Sequence, residues 1–359
     1  MTNIVNSQST IFSASKLLKH LDRLVELQTT GDSRPVFMGI DMTNVCNHRC
    51  PMCNGAPGEL ERDLSSLPFE MLEKLAEDCR ELGVKAVSFG GGGDASCHPR
   101  ATDVIRMFHS KGIQTSLFTN AQRLTDDLQN AVVECCSWVR ISLDADGPEM
   151  FKATHGMEAR DWEKVLSNVR DLTALRAKTR SDIVIGTSFL IGSHTKSGIY
   201  GAAAVARDLG VDYIRMRPFF TWNGDLPFAQ AEADSVLTEL ERAATLNTPT
   251  FVVSYPKART EWVCDSVAKI NYTKCRIHHF ITEVNADGNV HLCCHTKYNE
   301  KYRLGNLREN SLVEIWNSER RKQVYENIDY KDCAIPCKLS VHNELLESIE
   351  GAVVHENFL

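Results

Sequence analysis

Strand-like and helix-like patterns alternate six times along this chain, and that alternation limits the possible folds more than any other feature. Strand patterns lie near 37–42, 84–89, 113–118, 138–143, 183–191 and 211–216. Helical patterns lie between them, near 68–82, 99–111, 124–134, 159–176 and 196–209, with one more at 229–246. Regular alternation implies parallel strands joined by right-handed crossovers. A closed eight-fold barrel takes about 250 residues, and the pattern here breaks after Pro218. The expected fold class is therefore α/β, a partial (β/α)6 TIM-like barrel over 36–248. A helical extension over 1–35 precedes it, with an apolar stripe at Leu17, Leu18, Leu21, Leu24, Val25 and Leu27 that reads as a packing surface. A hairpin-plus-helix segment over 249–340 and a tail over 341–359 follow it. Ile281 to Cys293 reads as the hairpin, turning at Asn285 to Asn289, and Ser311 with Glu314 has capping-box spacing for a helix running to about Glu326.

Chemistry enters at the end of the first strand. Cys46, Cys50 and Cys53 fall within eight residues on the loop after the run Val36 to Met42, and α/β proteins place their reactive groups on such loops. Three thiolates can hold a [4Fe-4S] cluster and leave its fourth iron open to a substrate or cofactor, whereas four close it for electron transfer. Zinc is the rival reading. Zinc sites usually pair two Cys-x2-Cys knuckles a dozen or more residues apart, and only His48 is near enough to serve as a fourth ligand.

Composition bounds the partners. The chain has 359 residues, 43% hydrophobic and 24% charged, with a formal charge of −7 and no basic run, which argues against nucleic acid. No apolar stretch approaches the roughly 20 residues that span a bilayer, and the start lacks the apolar core of a signal peptide. Thirteen cysteines without an export signal point to a reducing, cytoplasmic setting with metal or cluster binding.

At the end of the second strand stands Ser88-Phe89-Gly90-Gly91-Gly92-Gly93-Asp94. Such a glycine run lets backbone approach a ligand closely. Together with the cysteine triplet it resembles the radical S-adenosylmethionine (radical SAM) superfamily, whose Gly-Gly-Glu-Pro motif is similar to Gly92-Gly93-Asp94-Ala95. Asp replaces Glu and Ala replaces Pro, and Met52 stands where the family often has an aromatic residue. Thr119-Asn120-Ala121 and Ser142-Leu143-Asp144-Ala145 resemble family motifs at the next two strand ends. Farther along, Cys275-x12-Gly288-x4-Cys293 and Cys333-x3-Cys337 resemble the auxiliary-cluster domains called SPASM and, in shortened form, twitch. The count suits the short form, with one cluster and four protein ligands.

The resemblance implies two [4Fe-4S] clusters and S-adenosylmethionine (SAM). Cys46, Cys50 and Cys53 would hold the SAM-binding cluster, and Cys275, Cys293, Cys333 and Cys337 the auxiliary one. Cys294 is an alternative to Cys293, and zinc is the rival occupant of that second site. Gly91, Gly92, Gly93 and Asp94 would hold the methionyl amino end. The Met52 main chain could reach adenine, and Asn120, Ser142 and Asp144 would meet ribose or substrate. A reduced cluster would cleave SAM to a 5′-deoxyadenosyl radical that takes hydrogen from a C–H bond. An electron donor such as flavodoxin or ferredoxin follows from this.

The leading expected reaction is oxidation of an alcohol in an amino sugar or aminocyclitol of an antibiotic pathway. Alternatives are epimerisation, decarboxylation or dehydration of a sugar, or maturation of a ribosomal peptide by epimerisation or cross-linking. Only about 36 residues precede the first strand, fewer than the peptide-docking winged helix of such maturases needs. Cys97, in the glycine-rich loop region, is a candidate hydrogen donor, with packing as the plainer reading. Arg215 and Arg217 alternate along the sixth strand, so one can face the barrel mouth; Arg217 is the candidate substrate contact, with Asp212 as a plain structural partner. Trp222 to Asp225 could line the pocket. His98 reads as local structure, His278, His279, His291 and His295 crowd the auxiliary cysteines, and Cys79, Cys135, Cys136 and Cys264 read as packed thiols.

Overall fold

The computed structural model describes residues 13–53, 63–219, 228–256, 272–329, 333 and 337–350. The six expected strands are present as β1 (Phe37–Ile40), β2 (Ala86–Phe89), β3 (Gln114–Thr119), β4 (Cys136–Ser142), β5 (Val184–Ile191) and β6 (Tyr213–Pro218). They pair in sequence order and all in parallel. A short seventh strand, β7 (Val252–Ser254), extends the sheet beside β6. Three residues are too few to show the alternation from which a strand can be read.

The helices differ from expectation at their ends and in two places. α1 (Leu21–Thr30), α2 (Phe69–Leu82), α3 (Ala101–Ser110) and α4 (Asp126–Cys135) match the pattern. An additional helix, α5 (Pro148–His155), comes before α6 (Arg160–Thr179). Pro148 at its first turn is the signal that marks it. α7 (Ile199–Asp208) and α8 (Ala233–Ala244) complete the set around the barrel. Ser311 and Glu314 form the expected capping box, but the helix stops after α9 (Leu312–Trp316). Ser318 then caps a separate α10 (Glu319–Glu326) through the Arg321 amide. α11 (Ser340–Glu350) ends the described chain.

The strands are two-faced. Met38, Ile40, Val87, Phe89, Leu117, Val139, Ile141, Phe189, Ile214 and Met216 are fully buried in one core with the helices. The opposite, inner face is mixed, with Ser88, Ser116, Phe118, Trp138, Arg140, Ser142, Ser188, Leu190, Tyr213, Arg215 and Arg217 at the alternating positions. Its charged and hydroxylated side chains set it apart from the aliphatic outer face.

The hairpin is not an appendage. Its first strand, β8 (Ile281–Val284), pairs in parallel with β1 from Phe37↔Ile281 to Ile40↔Val284. β9 (Asn289–His291) and β10 (Arg303–Asn306) follow antiparallel. One sheet therefore runs β10-β9-β8-β1-β2-β3-β4-β5-β6-β7, and its two edges do not meet.

The ends of the chain clasp this junction. Leu17, Leu24 and Leu27 form a second small core with Val36, Ile277, Phe280 and Leu346. Only half of the expected stripe on the N-terminal extension packs here: Leu18, Leu21 and Val25 stay exposed. Asp32 receives a fork from Arg321, 2.5 and 2.9 Å away, and His279 Nδ1 at 2.7 Å. Burial alone would raise the Asp32 pKa, but His279 and Arg321 hold it well below the usual carboxylate range.

That clasp predicts the outcome of Arg321→Met. Removing the fork leaves a partly buried carboxylate to the Ser33 amide and His279 and costs about 2–4 kcal/mol near neutral pH. The wild-type advantage is present above the unfolded carboxylate pKa and shrinks as acid protonates Asp32, below about pH 4. Urea unfolding of both proteins across that range is the measurement.

Candidate functional site

The cysteine triplet lies on the loop leaving β1. Cys46, Cys50 and Cys53 are all partly exposed, with a turn closed by the Cys53 amide on the Cys50 carbonyl at 3.2 Å. A polar collar orients them. The Cys46 sulfur accepts from the His48 amide at 3.4 Å. His155 Nδ1 sits 3.6 Å from the Cys50 sulfur. The outer nitrogens of the two rings are tied to oxygen acceptors: His48 to Gln122 at 2.9 Å and His155 to the Leu143 carbonyl at 2.8 Å. Both Nδ1 atoms therefore face each other, 3.1 Å apart, beside Cys50. Desolvation keeps both rings less basic than usual, His155 at about 3.

The glycine run meets this loop backbone to backbone. Gly93 donates to the Thr43 carbonyl at 2.8 Å and Asp94 to the Val45 carbonyl at 3.0 Å. A Cβ on Gly93 would fall 2.2 Å from the Val45 oxygen, and one on Gly91 would fall 2.3 Å from Asp41 Oδ1. Close approach of two loops, as well as of a ligand, requires glycine here. Asp94 is buried, and its carboxylate accepts from the Ser96 amide and hydroxyl, the Thr119 hydroxyl and the Asn120 amide, at 2.6–3.1 Å. It staples the β2 and β3 loops together. Asn120 reaches Asn47 at 3.0 Å, and the Cys97 thiol donates to the same Asn47 oxygen at 3.4 Å. Cys97 thus packs behind the cysteine loop. His98 bonds the Leu67 carbonyl and the Arg100 amide, a local structural role.

Across the inner face, Ser142 ends β4 and Asp144 follows at φ 42°. Asp144 accepts from the Leu190 amide at 2.8 Å, and burial lifts its pKa to about 6. Arg217 lies within its electrostatic reach. Asp212 is not a partner of Arg215 or Arg217: it pairs with Arg176 at 2.5 Å, on the other side of the strand. Arg215 donates to Ser254 at 2.6 Å. Met52 is partly exposed beside Cys53. Trp222 to Asp225 and Cys264 lie outside the described residues.

The second cysteine set converges. Cys275, Cys293, Cys333 and Cys337 line one cavity, with apolar walls from Ile277, Leu292, Ile328 and Leu339. Cys294 does not line it; its thiol meets Lys338 instead. The two lie in the bend and turn that follow β9, which sends their thiols to different partners. Burial pushes the Cys275 thiol up to about 11 and Cys293 well above its usual value, with the other thiols adding repulsion. Asn343 orients Cys275 from 3.7 Å while accepting from the Arg276 and Ile277 amides. His278 and His295 share the cavity wall, whereas His279 goes to Asp32 and His291 is buried on β9. Cys79 and Cys136 are buried core thiols and Cys135 is partly buried at a helix end.

The donor spacing suits clusters better than zinc. Tetrahedral zinc with bonds of about 2.3 Å draws its sulfurs to about 3.8 Å apart. Among the described residues, neither cysteine set brings three sulfurs within 4.8 Å of one another. A cubane carries one thiolate on each corner iron and so holds its sulfurs wider. The one compact group of donors, His48, Cys50 and His155, has both rings already fixed by outer hydrogen bonds.

Sequence reasoning missed the loop that links the two sites. Residues 293–299 start at the four-thiol cavity and reach the cysteine triplet, where Tyr298 comes within electrostatic range of Cys53. Lys297 Nζ pairs with Asp41 Oδ2 at 2.9 Å, both buried. Burial opposes the Lys297 charge, but Asp41, Tyr298 and Glu283 more than restore it. Asp41 Oδ1 is buried beside Gly91 and has no hydrogen-bond partner among the described residues. No local pattern announces a pairing between residues 256 positions apart.

A partial parallel barrel with a three-thiol loop at one strand end and a four-thiol cavity joined to its first strand defines an iron–sulfur enzyme scaffold. The sequence profile of the radical SAM superfamily matches residues 40–195, and that of the SPASM iron–sulfur cluster-binding domain matches 275–338. The chain belongs to the radical SAM superfamily and carries a SPASM domain, and two [4Fe-4S] clusters and SAM are its cofactors.

Relatives share its length or its fold. The tungsten-containing aldehyde ferredoxin oxidoreductase cofactor-modifying protein of Pyrococcus furiosus is 24% identical over 83% of this chain and 86% of its own. The PqqA peptide cyclase of Streptomyces rochei is 28% identical over 51% of this chain and 48% of its own. Streptococcus suis SuiB bound to precursor peptide SuiA has the same fold, with a TM-score of 0.67 at 12% identity over 94% of this chain and 78% of that one. Native anSMEcpe with bound AdoMet superposes with a TM-score of 0.59 at 17% identity, over 86% and 88%. No described helix is long and apolar enough to cross a membrane.

Two outcomes follow from this geometry. Gly93→Ala drives a Cβ into the Val45 carbonyl, costs about 1–3 kcal/mol, and lowers iron incorporation at the triplet while sparing the second site; iron per chain after anaerobic reconstitution reads it. Asp144 binds a proton more tightly folded than unfolded, so wild-type stability falls as pH rises between about 4 and 6, by about 3 kcal/mol. Asp144→Asn removes that slope, and unfolding free energies of the two proteins at either end of the window check it.

Proposed function

We propose that this enzyme removes a hydrogen atom from a peptide held in the barrel lumen, modifying a peptide rather than a free metabolite. The observation that carries the reading is the 293–299 loop, which starts at the four-thiol cavity, pairs Lys297 with Asp41 at the start of the three-thiol loop and brings Tyr298 within electrostatic range of Cys53. Five residues from Cys293 to Tyr298 reach at most about 18 Å. A substrate between the two sites is thus close to both. The peptides named for PqqA peptide cyclase, SuiB and, in its peptide complexes, anSMEcpe support the choice of substrate class.

Cys46, Cys50 and Cys53 would hold the SAM-binding cluster and Cys275, Cys293, Cys333 and Cys337 the auxiliary one. The orphaned Asp41 oxygen beside Gly91 fits an ammonium donor, as the methionyl end of SAM carries. When bound, cluster and SAM supply one-electron cleavage and hydrogen-atom abstraction. The protein's share is positional. Lys297 neutralises and fixes Asp41, Asp94 locks the β2 and β3 loops, and His48 and His155 hold the Cys50 side of the loop. Ser142 and Asp144 face the lumen, where ribose or substrate would lie. Cys97 bonds to the loop, which favours packing over hydrogen donation. A flavodoxin or ferredoxin would supply the electron.

A sugar or aminocyclitol alcohol is the second reading. The hydroxyls of Ser142 and Ser188 on the inner face suit a hydroxylated ligand, and oxidation would pass its electron to the auxiliary cluster.

Wild-type protein should contain about eight iron and eight sulfide per chain and form 5′-deoxyadenosine with SAM and dithionite. Cys50→Ala should abolish that product; unchanged formation refutes the triplet assignment. Cys293→Ala should halve the iron to about four, while Cys294→Ala keeps all eight; the reverse pattern would exchange their roles.

A further inference from the structure

We propose that the barrel lumen binds a carboxylate carried by the substrate, gripped by Arg217 and Lys338. This rests on the peptide reading and names the chemistry by which that peptide would be recognised: an acidic side chain or a free C-terminus.

Strand register sets up the grip. Tyr213, Arg215 and Arg217 share the inner face of β6, beside Gly186, Ser188 and Leu190 of β5. The Tyr213 ring lies over Gly186, where a Cβ would come within 2.1 Å of it. Arg140, from β4, donates to the Tyr213 hydroxyl at 3.1 Å and lies over Phe118 and Trp138. Arg215 is engaged by Ser254. Each of these cations thus has a contact that holds it in place.

Arg217 differs. It registers with Leu190 at the end of β6, and among the described residues its guanidinium has no hydrogen bond and no ion pair. Its surroundings are Arg140, Asp144 and Cys294. Lys338, accessible to solvent, comes in from the C-terminal segment beside Cys294, Glu283 and Arg217.

The nearest acid, Asp144, attracts Arg217 through space but does not occupy its fork. Asp144 accepts from the Leu190 amide instead of pairing with Arg217, and burial lifts it to about 6. Burial, with Asp41 nearby, lifts Glu283 to about 7. A half-buried guanidinium with no hydrogen bond among the described residues is open to an anion. A carboxylate matches its fork in two parallel bonds, and an ammonium adds a third. Arg217 sits on the inner face of β6, and Lys338 directly follows Cys337 of the four-thiol cavity. A substrate carboxylate held there would fix which neighbouring C–H bond faces the three-thiol loop.

The test uses reconstituted enzyme at neutral pH and constant ionic strength, with melting temperature as readout. The probes are the blocked tripeptide acetyl-Ala-Glu-Ala-amide, its Gln counterpart, and glutarate. The Glu peptide should raise the melting temperature in a saturable way and the Gln peptide should not. Arg217→Gln and Lys338→Met should each weaken the Glu-peptide response at least about tenfold. The melting temperature of Arg217→Gln should stay level or rise, because a half-buried cation without a hydrogen-bonded partner among the described residues is removed, and that of Lys338→Met, at an exposed position, should stay level. A structural role for Arg217 would instead lower the melting temperature. Equal responses to Glu and Gln peptides, or a full response in Arg217→Gln, overturn the proposal. Glutarate matching the Glu peptide keeps the carboxylate site and overturns the peptide as its source. Formation of 5′-deoxyadenosine is scored separately, so loss of this site and loss of the radical SAM reading give different results.

Discussion

The buried pair of Lys297 with Asp41 is the interaction on which the functional architecture turns. Asp41 follows β1 directly and starts the loop that carries Cys46, Cys50 and Cys53. Lys297 belongs to the loop that begins at Cys293. One ion pair therefore joins the two cysteine sites across 256 residues of chain. In water it would be worth little; enclosed and geometrically well made, it is costly to break because either partner would be left as a lone buried charge. It thereby holds the two cysteine-bearing loops in a fixed relation, which any transfer of electrons through a substrate between them requires.

Around that strut the barrel spends its two faces differently. The outer face is aliphatic and packs against helices, which gives the sheet its stability. The inner face carries serines, arginines and an acid, which a stable core would exclude. Polar groups on the concave side of a sheet are tolerated where water or a ligand reaches them. The Arg217 guanidinium, without a hydrogen-bonded partner among the described residues, and the raised pKa values of Asp144 and Glu283 are local costs of the same kind. They lie where a substrate would be held, and the helix-packed core offsets them.

The β8–β1 pairing changes how the C-terminal segment is understood. A hairpin attached by a linker could drift relative to the barrel. A hairpin whose first strand is hydrogen-bonded to β1 residue by residue cannot. The clasp of Asp32 by Arg321 and His279, and the small core under the N-terminal extension, reinforce the same edge. The auxiliary cavity is thereby held against the strand that presents the cysteine triplet.

Local pattern in the sequence was enough for the six parallel strands, most of the helices, the cysteine triplet and the glycine run, because strand alternation, helix periodicity and metal-ligand spacing are short-range signals. It also marked Cys275, Cys293, Cys333 and Cys337 as a set, although not Cys293 over Cys294. That distinction needed the fold, since the bend and turn after β9 decide which partner each of the two adjacent thiols meets. The pairing of β8 with β1, the reach of Lys297 to Asp41, the commitment of Asp212 to Arg176 and the Arg217 fork left without a hydrogen bond among the described residues were likewise decided in three dimensions. Each depends on residues brought together from distant parts of the chain, and side-chain partnership at that range follows from packing geometry, which no local run of amino acids encodes.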